Sequence, residues 1–471
     1  MAGHDKTVHF VSLGCPKNRV DSEVMLGVAE RAGYRHVAEP EAAEVIVVNT
    51  CGFIDAAKQE SIETILQLAE LKHRGVCEKL VVTGCLSQRH PDELAAEMPE
   101  VDHFLGSSDM LRLGPVLAGT APRMWVGTPA DWVISASDPR VLSTRGASAY
   151  VKIAEGCSRS CSFCVIPSLR GRQRSRSADD VVREVEALAA RGVLEVNLVS
   201  QDTVSYGRDR DDGSNLLRLV ERVAEVPGLR WLRLFYLYPE KLSDALLDLI
   251  AQHPRVLPYV DMPLQHASSD MLRRMRRGVG GGAQRRLVQR MRERIPDLTI
   301  RSAFILGHPG ETEEDFQELI DFVTWAEFDH VGAFLYSDEE SSQSFQQDGK
   351  VPRKTARARV SKLMALQRRI SRRRNKQRMG QQLEVLVEGP SEESELVLVG
   401  RHRGQAPEID GVVYLSGDCL PGQIREVRVT QTTDYDLLGE VVDEASEPVG
   451  APAAAPLVVV GSDGRRVLRT I

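Results

Sequence analysis

The sequence predicts an α/β multidomain protein: an N-terminal doubly wound parallel sheet, a central partial (β/α)6 TIM-type barrel and a small C-terminal β-barrel. Three observations predict it. The first hundred or so residues alternate apolar runs with amphipathic stretches, and a second alternation of the same kind runs from Ser148 to about Phe334. Beyond residue 379, short Val/Leu/Gly-rich alternations replace helical spacing.

In the first region residues 7–13, 44–49 and 79–83 read as strands and residues 22–32 and 55–71 as helices, with Gly14, Gly52 and Gly84 at the turns. Residues 114–139 are Gly/Pro-rich, lack periodicity and read as a linker. Six further strands are expected at 150–154, 193–199, 231–236, 259–262, 299–306 and 331–335, separated by helices such as 178–191, 216–226 and 313–326. In such a barrel the site lies at the strand C-termini. Residues 354–378 form a basic helix with eleven Lys and Arg, no acid, and Val360, Leu363, Met364, Ala365 and Ile370 roughly on one side. Strands at 383–387, 395–399, 411–415 and 426–430 suit the small β-barrel, and the Ala/Pro-rich end reads as a mobile tail. The expected domains are 5–118, a linker over 119–142, 143–378, 379–444 and a tail over 445–471.

Of 471 residues, 42% are hydrophobic and 27% charged. There is no apolar run of about 18 residues and no signal-peptide pattern, so a cytoplasmic chain without membrane contact is expected. Eight cysteines in such a chain point to metal ligation or catalysis, because cytosolic thiols stay reduced. The net charge of −7 argues against a protein that coats nucleic acid over its whole surface, though local basic patches remain open.

Cys157, Cys161 and Cys164 place three thiols within eight residues, directly after the first barrel strand. A fully ligated [4Fe-4S] cluster takes four thiolates, so three leave one iron open to chelate the amino and carboxylate groups of S-adenosylmethionine. That is the chemical use of C-x3-C-x2-C with an aromatic, Phe163, before the last Cys. The bland alternative is a zinc site with a distant fourth ligand. Other strand ends offer cofactor-binding candidates: Gln201 and Asp202, Tyr236, Gln265, and Gly307 with Pro309. Gly307 and Pro309 also suit a plain turn into the capped helix that follows.

Cys15, Cys51 and Cys85 are far apart in sequence, yet each follows a strand of the N-terminal sheet by one or two residues. Such ends converge on one edge of a parallel sheet, where ligands bind, which makes a second three-Cys site. Taken singly, each is a buried free thiol. Cys77 and Cys419 fall outside both patterns and read as structural.

These residues resemble the methylthiotransferase family of radical S-adenosylmethionine enzymes, over nearly the whole chain up to about residue 444. The matches are Gly14-Cys15-Pro16-Lys17-Asn18 with Asp21-Ser22-Glu23, Asn49-Thr50-Cys51-Gly52, Thr83-Gly84-Cys85 and the 157–164 motif. The resemblance implies two [4Fe-4S] clusters, the auxiliary one on Cys15, Cys51 and Cys85 and the S-adenosylmethionine-binding one on Cys157, Cys161 and Cys164. It also implies a C-terminal TRAM β-barrel that binds substrate. An external donor would supply one electron, a 5′-deoxyadenosyl radical would take a hydrogen from an unactivated carbon, and sulfur would come from the auxiliary cluster.

Within the family, Cys15-Pro16-Lys17-Asn18, Asn49 to Ile54, Ile166 to Gly171 and Ala406 to Gly411 are similar to the members that modify an aspartate β-carbon of the twelfth small-subunit ribosomal protein. Residues 280–282, 338–344 and the C-terminal extension depart from that pattern. Over 379–444 four Arg face fourteen Asp and Glu, a balance of 4 − 14 = −10. Phosphate binding rests on Lys and Arg, so an acidic barrel suits a basic ribosomal protein as partner better than tRNA. The alternatives are a tRNA adenosine methylthiotransferase and, from another class, a non-enzymatic iron-sulfur or zinc binding module.

Overall fold

The computed structural model describes residues 6–129, 132–443, 458–460 and 466–467. The first sheet is parallel through Thr7–Leu13, Val45–Thr50, Lys79–Gly84, His103–Leu105 and Met124–Trp125. Its strands bury alternate residues on opposite faces, as the pleat requires. Val8, Phe10, Val45, Val47 and Val81 pack against the Pro16–Arg31 helix. Val11, Leu13, Ile46, Val48 and Val82 pack with Ile65 and Ala69 of the Asp55–Ala69 helix. Helices on both faces make the sheet doubly wound, as expected.

Three details differ from expectation. The Pro16–Arg31 helix starts six residues before position 22, because Pro16 takes the first helical position, where its missing N–H costs nothing. The stretch read as linker contributes Met124–Trp125 to the sheet edge. The stretch read as a mobile tail contributes Val458–Val460, parallel to Val11–Leu13, with Arg466–Val467 antiparallel beyond it. The rest of that tail call lies outside the described residues.

The second sheet holds six parallel strands in the order His330–Leu335, Thr299–Leu306, Val256–Asp261, Trp231–Leu234, Glu195–Val199 and Ser148–Lys152. Neighbours in sequence are neighbours in space, giving an open partial barrel wrapped by helices. Side-chain caps start several of them: Ser177, Asn215, Ser243 and Ser268 each accept a backbone N–H, and Thr312 with Asp315 forms a full capping box. Helices Asp244–Gln252 and Gly281–Arg294 were not foreseen, the latter because glycines at its start mask its amphipathic pattern.

The long helix Arg353–Gln377 packs on the barrel through Ala356, Leu363, Gln367 and Ile370, while Ala365 is exposed rather than on the packed side. Arg359, Arg373 and Arg374 pair with Glu311, Glu327 and Asp329, so part of its charge is neutralised within the molecule. Five strands, Gln382–Pro390, Leu398–His402, Val413–Ser416, Ile424–Thr432 and Leu437–Val441, close the C-terminal barrel, one more than expected.

That barrel docks through buried charge. Arg401 ion-pairs with Glu195 at 2.5 Å and with Glu388 at 2.6 Å, and Arg233 pairs with Glu195 at 3.0 Å. Burial alone would raise the Glu195 carboxyl, but Arg401 and Arg233 outweigh it and hold it down to about 2. Tyr150 donates to the Pro407 carbonyl and Tyr259 to Asp410, so residues 405–410 cover the inner face of the open sheet.

Truncating Arg401 leaves buried Glu195 with Arg233 alone and takes the arginine from half-buried Glu388. Arg401→Ala should lower unfolding free energy in urea by about 3–5 kcal/mol. Arg372→Ala, which breaks an exposed pair with Asp434, should cost about 1 kcal/mol or less. His266 and His308 are held down to about 4 by burial. Between that value and their ordinary 6.5 the unfolded chain binds more protons, so stability is full above 6.5 and falls as pH drops toward 4. Urea titrations across that range should show the decline, with a shallower slope in His266→Gln.

Candidate active site

The first triad is built by close approach of backbone. Gly14, at φ +96°, turns strand Thr7–Leu13 into Cys15, and a Cβ there would lie 2.9 Å from Cys51 Cβ and 3.0 Å from its Sγ. A Cβ on Gly52 would sit 2.8 Å from the Cys85 carbonyl oxygen, and one on Gly84, at φ +99°, 2.4 Å from Asn49 Oδ1. Only glycine fits these three positions, and each adjoins one cysteine of the triad.

Asn18 fastens the arrangement by donating to the carbonyls of Leu13 and Thr50, both at 2.9 Å. Ser61 accepts from Cys51 N–H and donates to its carbonyl. Burial and the neighbouring thiols push Cys51 up. Burial also raises Cys85, with the Arg170 guanidinium pulling the other way.

The second triad lies on the loop after strand Ser148–Lys152. Cys157 N–H donates to the Gly171 carbonyl at 3.0 Å, and Cys164 N–H to the Cys161 carbonyl at 3.1 Å. Burial, then the Asp202 carboxylate and the Cys161 thiol, push Cys157 up to about 11, and burial with the other two thiols pushes Cys164 up to about 12. Ser162 is the anchor: its N–H donates to the Met275 carbonyl and its hydroxyl to the Arg274 carbonyl, while Ser344 donates to it from both backbone and side chain. The Arg277 guanidinium reaches Cys161 Sγ at 3.6 Å. Arg277 and Arg159 both stack on the ring of Tyr238, at 3.8 and 3.5 Å from its centre, each worth about 0.5–2 kcal/mol.

The strand-end candidates divide into two groups. Asp202 pairs with Arg159 of the cysteine loop at 2.5 Å, and Gln201 donates to Glu155 at 2.8 Å. Asp202 Oδ1 and Gln201 Oε1 are buried without a partner, the condition of groups awaiting a ligand. Tyr236, two residues beyond strand Trp231–Leu234, stands at φ +56° beneath the Lys17 ammonium, and Phe163 is half-buried. Gln265, at φ +73°, is bound by backbone to the next strand. Gly307 and Pro309 serve packing: a Cβ on Gly307 would lie 2.5 Å from Ala356 Cβ, and the Pro309 carbonyl accepts from Arg274 at 3.0 Å.

The two triads adjoin. Cys85 shares one apolar cluster with Val165, next to Cys164, and with Leu169. Beside them lies a buried ion network that the sequence did not disclose. Lys152 pairs with Asp21 at 2.6 Å and with Glu155, while Arg170 pairs with Asp21 at 2.7 Å and bonds Asn18. Burial would raise Glu155, yet Lys152 and Arg170 bring it to about 2. Asp21 and Arg170 both stand inside the motifs quoted above, so their type was visible though their pairing was not. A second tie was missed because residues 338–344 looked atypical. There buried Glu339 pairs with Lys58 at 2.9 Å and Arg89 at 2.7 Å, and Arg89 donates to the Gly52 carbonyl beside Cys51.

Among the described residues no three His, Cys, Asp or Glu side chains converge on one ion-sized point. Zinc needs ligands at about 2.0–2.3 Å from a single centre, whereas a four-iron cube spreads its thiolates around a larger body. Three cysteines at each triad, with Cys15, Cys51, Cys161 and Cys164 half-buried rather than sealed, are a donor set that suits such a cube.

Three family models match in series: uncharacterized protein family UPF0004 over residues 7–106, the radical SAM superfamily over 151–323 and the TRAM domain over 379–442. A "ribosomal protein uS12 methylthiotransferase RimO" of Sorangium cellulosum is 64% identical, covering 99% of this chain and 97% of that protein. Proteins of the same name from Anaeromyxobacter sp. (strain K) and Myxococcus xanthus are 50% and 49% identical over 95% and 93% of this chain, and over 97% and 92% of their own. Sequence, architecture and the thiol-bearing strand ends agree: the chain belongs to the RimO family of radical SAM methylthiotransferases.

Proposed function

We propose that this enzyme inserts a methylthio group at the β-carbon of an aspartate in ribosomal protein uS12, using two [4Fe-4S] clusters and S-adenosylmethionine. The observation that carries this reading is the junction of the two three-thiol sites across Cys85, Val165 and Leu169. One site alone could start a radical; two in contact can start it and deliver sulfur to the same carbon. The relatives' name points to the protein acceptor, and the acidic C-terminal barrel complements a basic ribosomal protein.

Cys157, Cys161 and Cys164 would hold the cluster that binds S-adenosylmethionine, and Cys15, Cys51 and Cys85 the auxiliary one. When bound, these groups supply one-electron cleavage of S-adenosylmethionine, hydrogen removal from an unactivated carbon, and sulfur. The chain supplies position and charge. Arg277 sets a guanidinium beside Cys161 Sγ. Asp202 and Gln201 offer unpartnered oxygens to the amino group of the cosubstrate. The Arg159–Tyr238–Arg277 stack walls the cysteine loop and keeps water from a radical. The Glu339 tie fixes the auxiliary site against the barrel, so that hydrogen removal and sulfur delivery address one position.

The exposed cations of the Arg353–Gln377 helix are a feature that favours RNA. Reconstituted anaerobically, the protein should carry about eight irons, falling to about four in Cys85→Ala and in Cys161→Ala; one cluster in the parent chain would sink the two-cluster reading. Incubated with S-adenosylmethionine and a reductant, it should add a methylthio mass to uS12 and none to tRNA. Modification of tRNA alone would reverse the choice of acceptor.

A further inference from the structure

Lys17 is a buried cation without a carboxylate. It is 8% exposed, and among the described residues no Asp or Glu oxygen lies within ion-pair distance of its ammonium. The carboxylate of Asp21, one turn on, is taken by Lys152 and Arg170. That of Asp261 accepts the Tyr236 N–H at 3.0 Å and lies 3.9 Å from Arg301. What Lys17 has is the ring of Tyr236, 3.4 Å from its ammonium, and the hydroxyl of that ring. An ammonium has three donors, and a ring face accepts none of them as an ordinary hydrogen bond.

The backbone setting adds to the cost. Lys17 sits in the first turn of the Pro16–Arg31 helix, which holds no acidic residue there. That end carries the positive pole of the helix dipole and disfavours a cation. Burying a charge costs several kcal/mol in general, and Tyr236 meets only part of the ammonium's donor capacity, so Lys17 is a position that an incoming anion completes. Its location restricts which anion. Lys17 is two residues from Cys15 of one triad, and Tyr236 lies just past the C-terminal end of barrel strand Trp231–Leu234, the end from which the loop of the other triad also leaves its strand.

We propose that Lys17, backed by Tyr236, is the subsite that holds the side-chain carboxylate of the substrate aspartate. This rests on the functional reading above and deepens it: a carboxylate fixed by one ammonium presents the adjoining β-carbon at a set distance, between the sites that remove hydrogen and deliver sulfur. It makes Lys17 a specificity determinant, since asparagine at the same place in the ribosomal protein offers no charge to pair.

The test measures binding of uS12 and of its Asp→Asn counterpart to the cluster-loaded full-length enzyme. The parent should favour aspartate by about tenfold or more, the worth of a hydrogen bond to a charged group. Lys17→Met should bring the two affinities within about twofold while keeping the full iron count, and Lys17→Arg should keep much of the preference. A Lys17→Met protein that still prefers aspartate overturns the subsite. So does one that loses the auxiliary irons, which would assign Lys17 to the cluster, and so does a parent enzyme that modifies uS12 yet binds both forms equally. A parent enzyme that leaves uS12 unmodified overturns the functional reading itself.

Discussion

The pairing of Asp21 with both Lys152 and Arg170 is the contact on which the rest of the site depends. Asp21 comes from the first helix of the N-terminal sheet, Lys152 from the first barrel strand and Arg170 from the helix that follows the 157–164 cysteines. Each partner is fully buried, so none can rotate to water if the others move. Removing one leaves charge in the interior at a cost of about 3–5 kcal/mol, which holds the two thiol sites in one relative placement. Arg170 adds direct contact, since it also bonds Asn18, the residue that pins Leu13 and Thr50 beside Cys15 and Cys51.

The C-terminal barrel is fixed by the same means at another place. Glu195 collects Arg233 from its own sheet and Arg401 from the barrel, and residues 405–410 lie over Tyr150 and Tyr259. Apolar side chains from all three units, Phe10, Trp231, Phe235, Leu386 and Ala406 among them, share one core. A substrate held by the barrel is therefore held relative to the thiols, because the contact is continuous and buried rather than a hinge.

Much of this was legible in the chain. Strand Thr7–Leu13 and helix Glu313–Ala326 fall where apolar periodicity puts them, because each packs on one neighbour that the local pattern anticipates. Cys15, Cys51 and Cys85 lie at the strand ends where the sequence puts them, and the 157–164 loop follows the first barrel strand as expected. What stayed hidden depends on partners distant in sequence. Nothing local marks Arg401 as the mate of Glu195, 206 positions away, or Glu339 as that of Lys58. Gly307 could be placed at a strand end from the sequence, but not its close approach to Ala356, which lies on the long Arg353–Gln377 helix. Met124–Trp125 and Val458–Val460 escaped notice because edge strands of two or three residues carry too little alternation to register.

The two thiol sites differ in span: one is drawn from eight consecutive residues and the other from three strand ends spread over 71 positions, Cys15 to Cys85. Iron can meet the compact set on an unfolded chain, so binding there lowers the free energy of both folded and unfolded states and shifts the balance little. The dispersed set exists only after three parallel strands have paired and their glycines have closed on one another, a late event in a sheet of long-range contacts. Iron bound there would draw its whole affinity from the native chain. A metal held by Cys15, Cys51 and Cys85 would thus act as a thermodynamic lock on the N-terminal domain, whereas one held at 157–164 would be a tenant of either state.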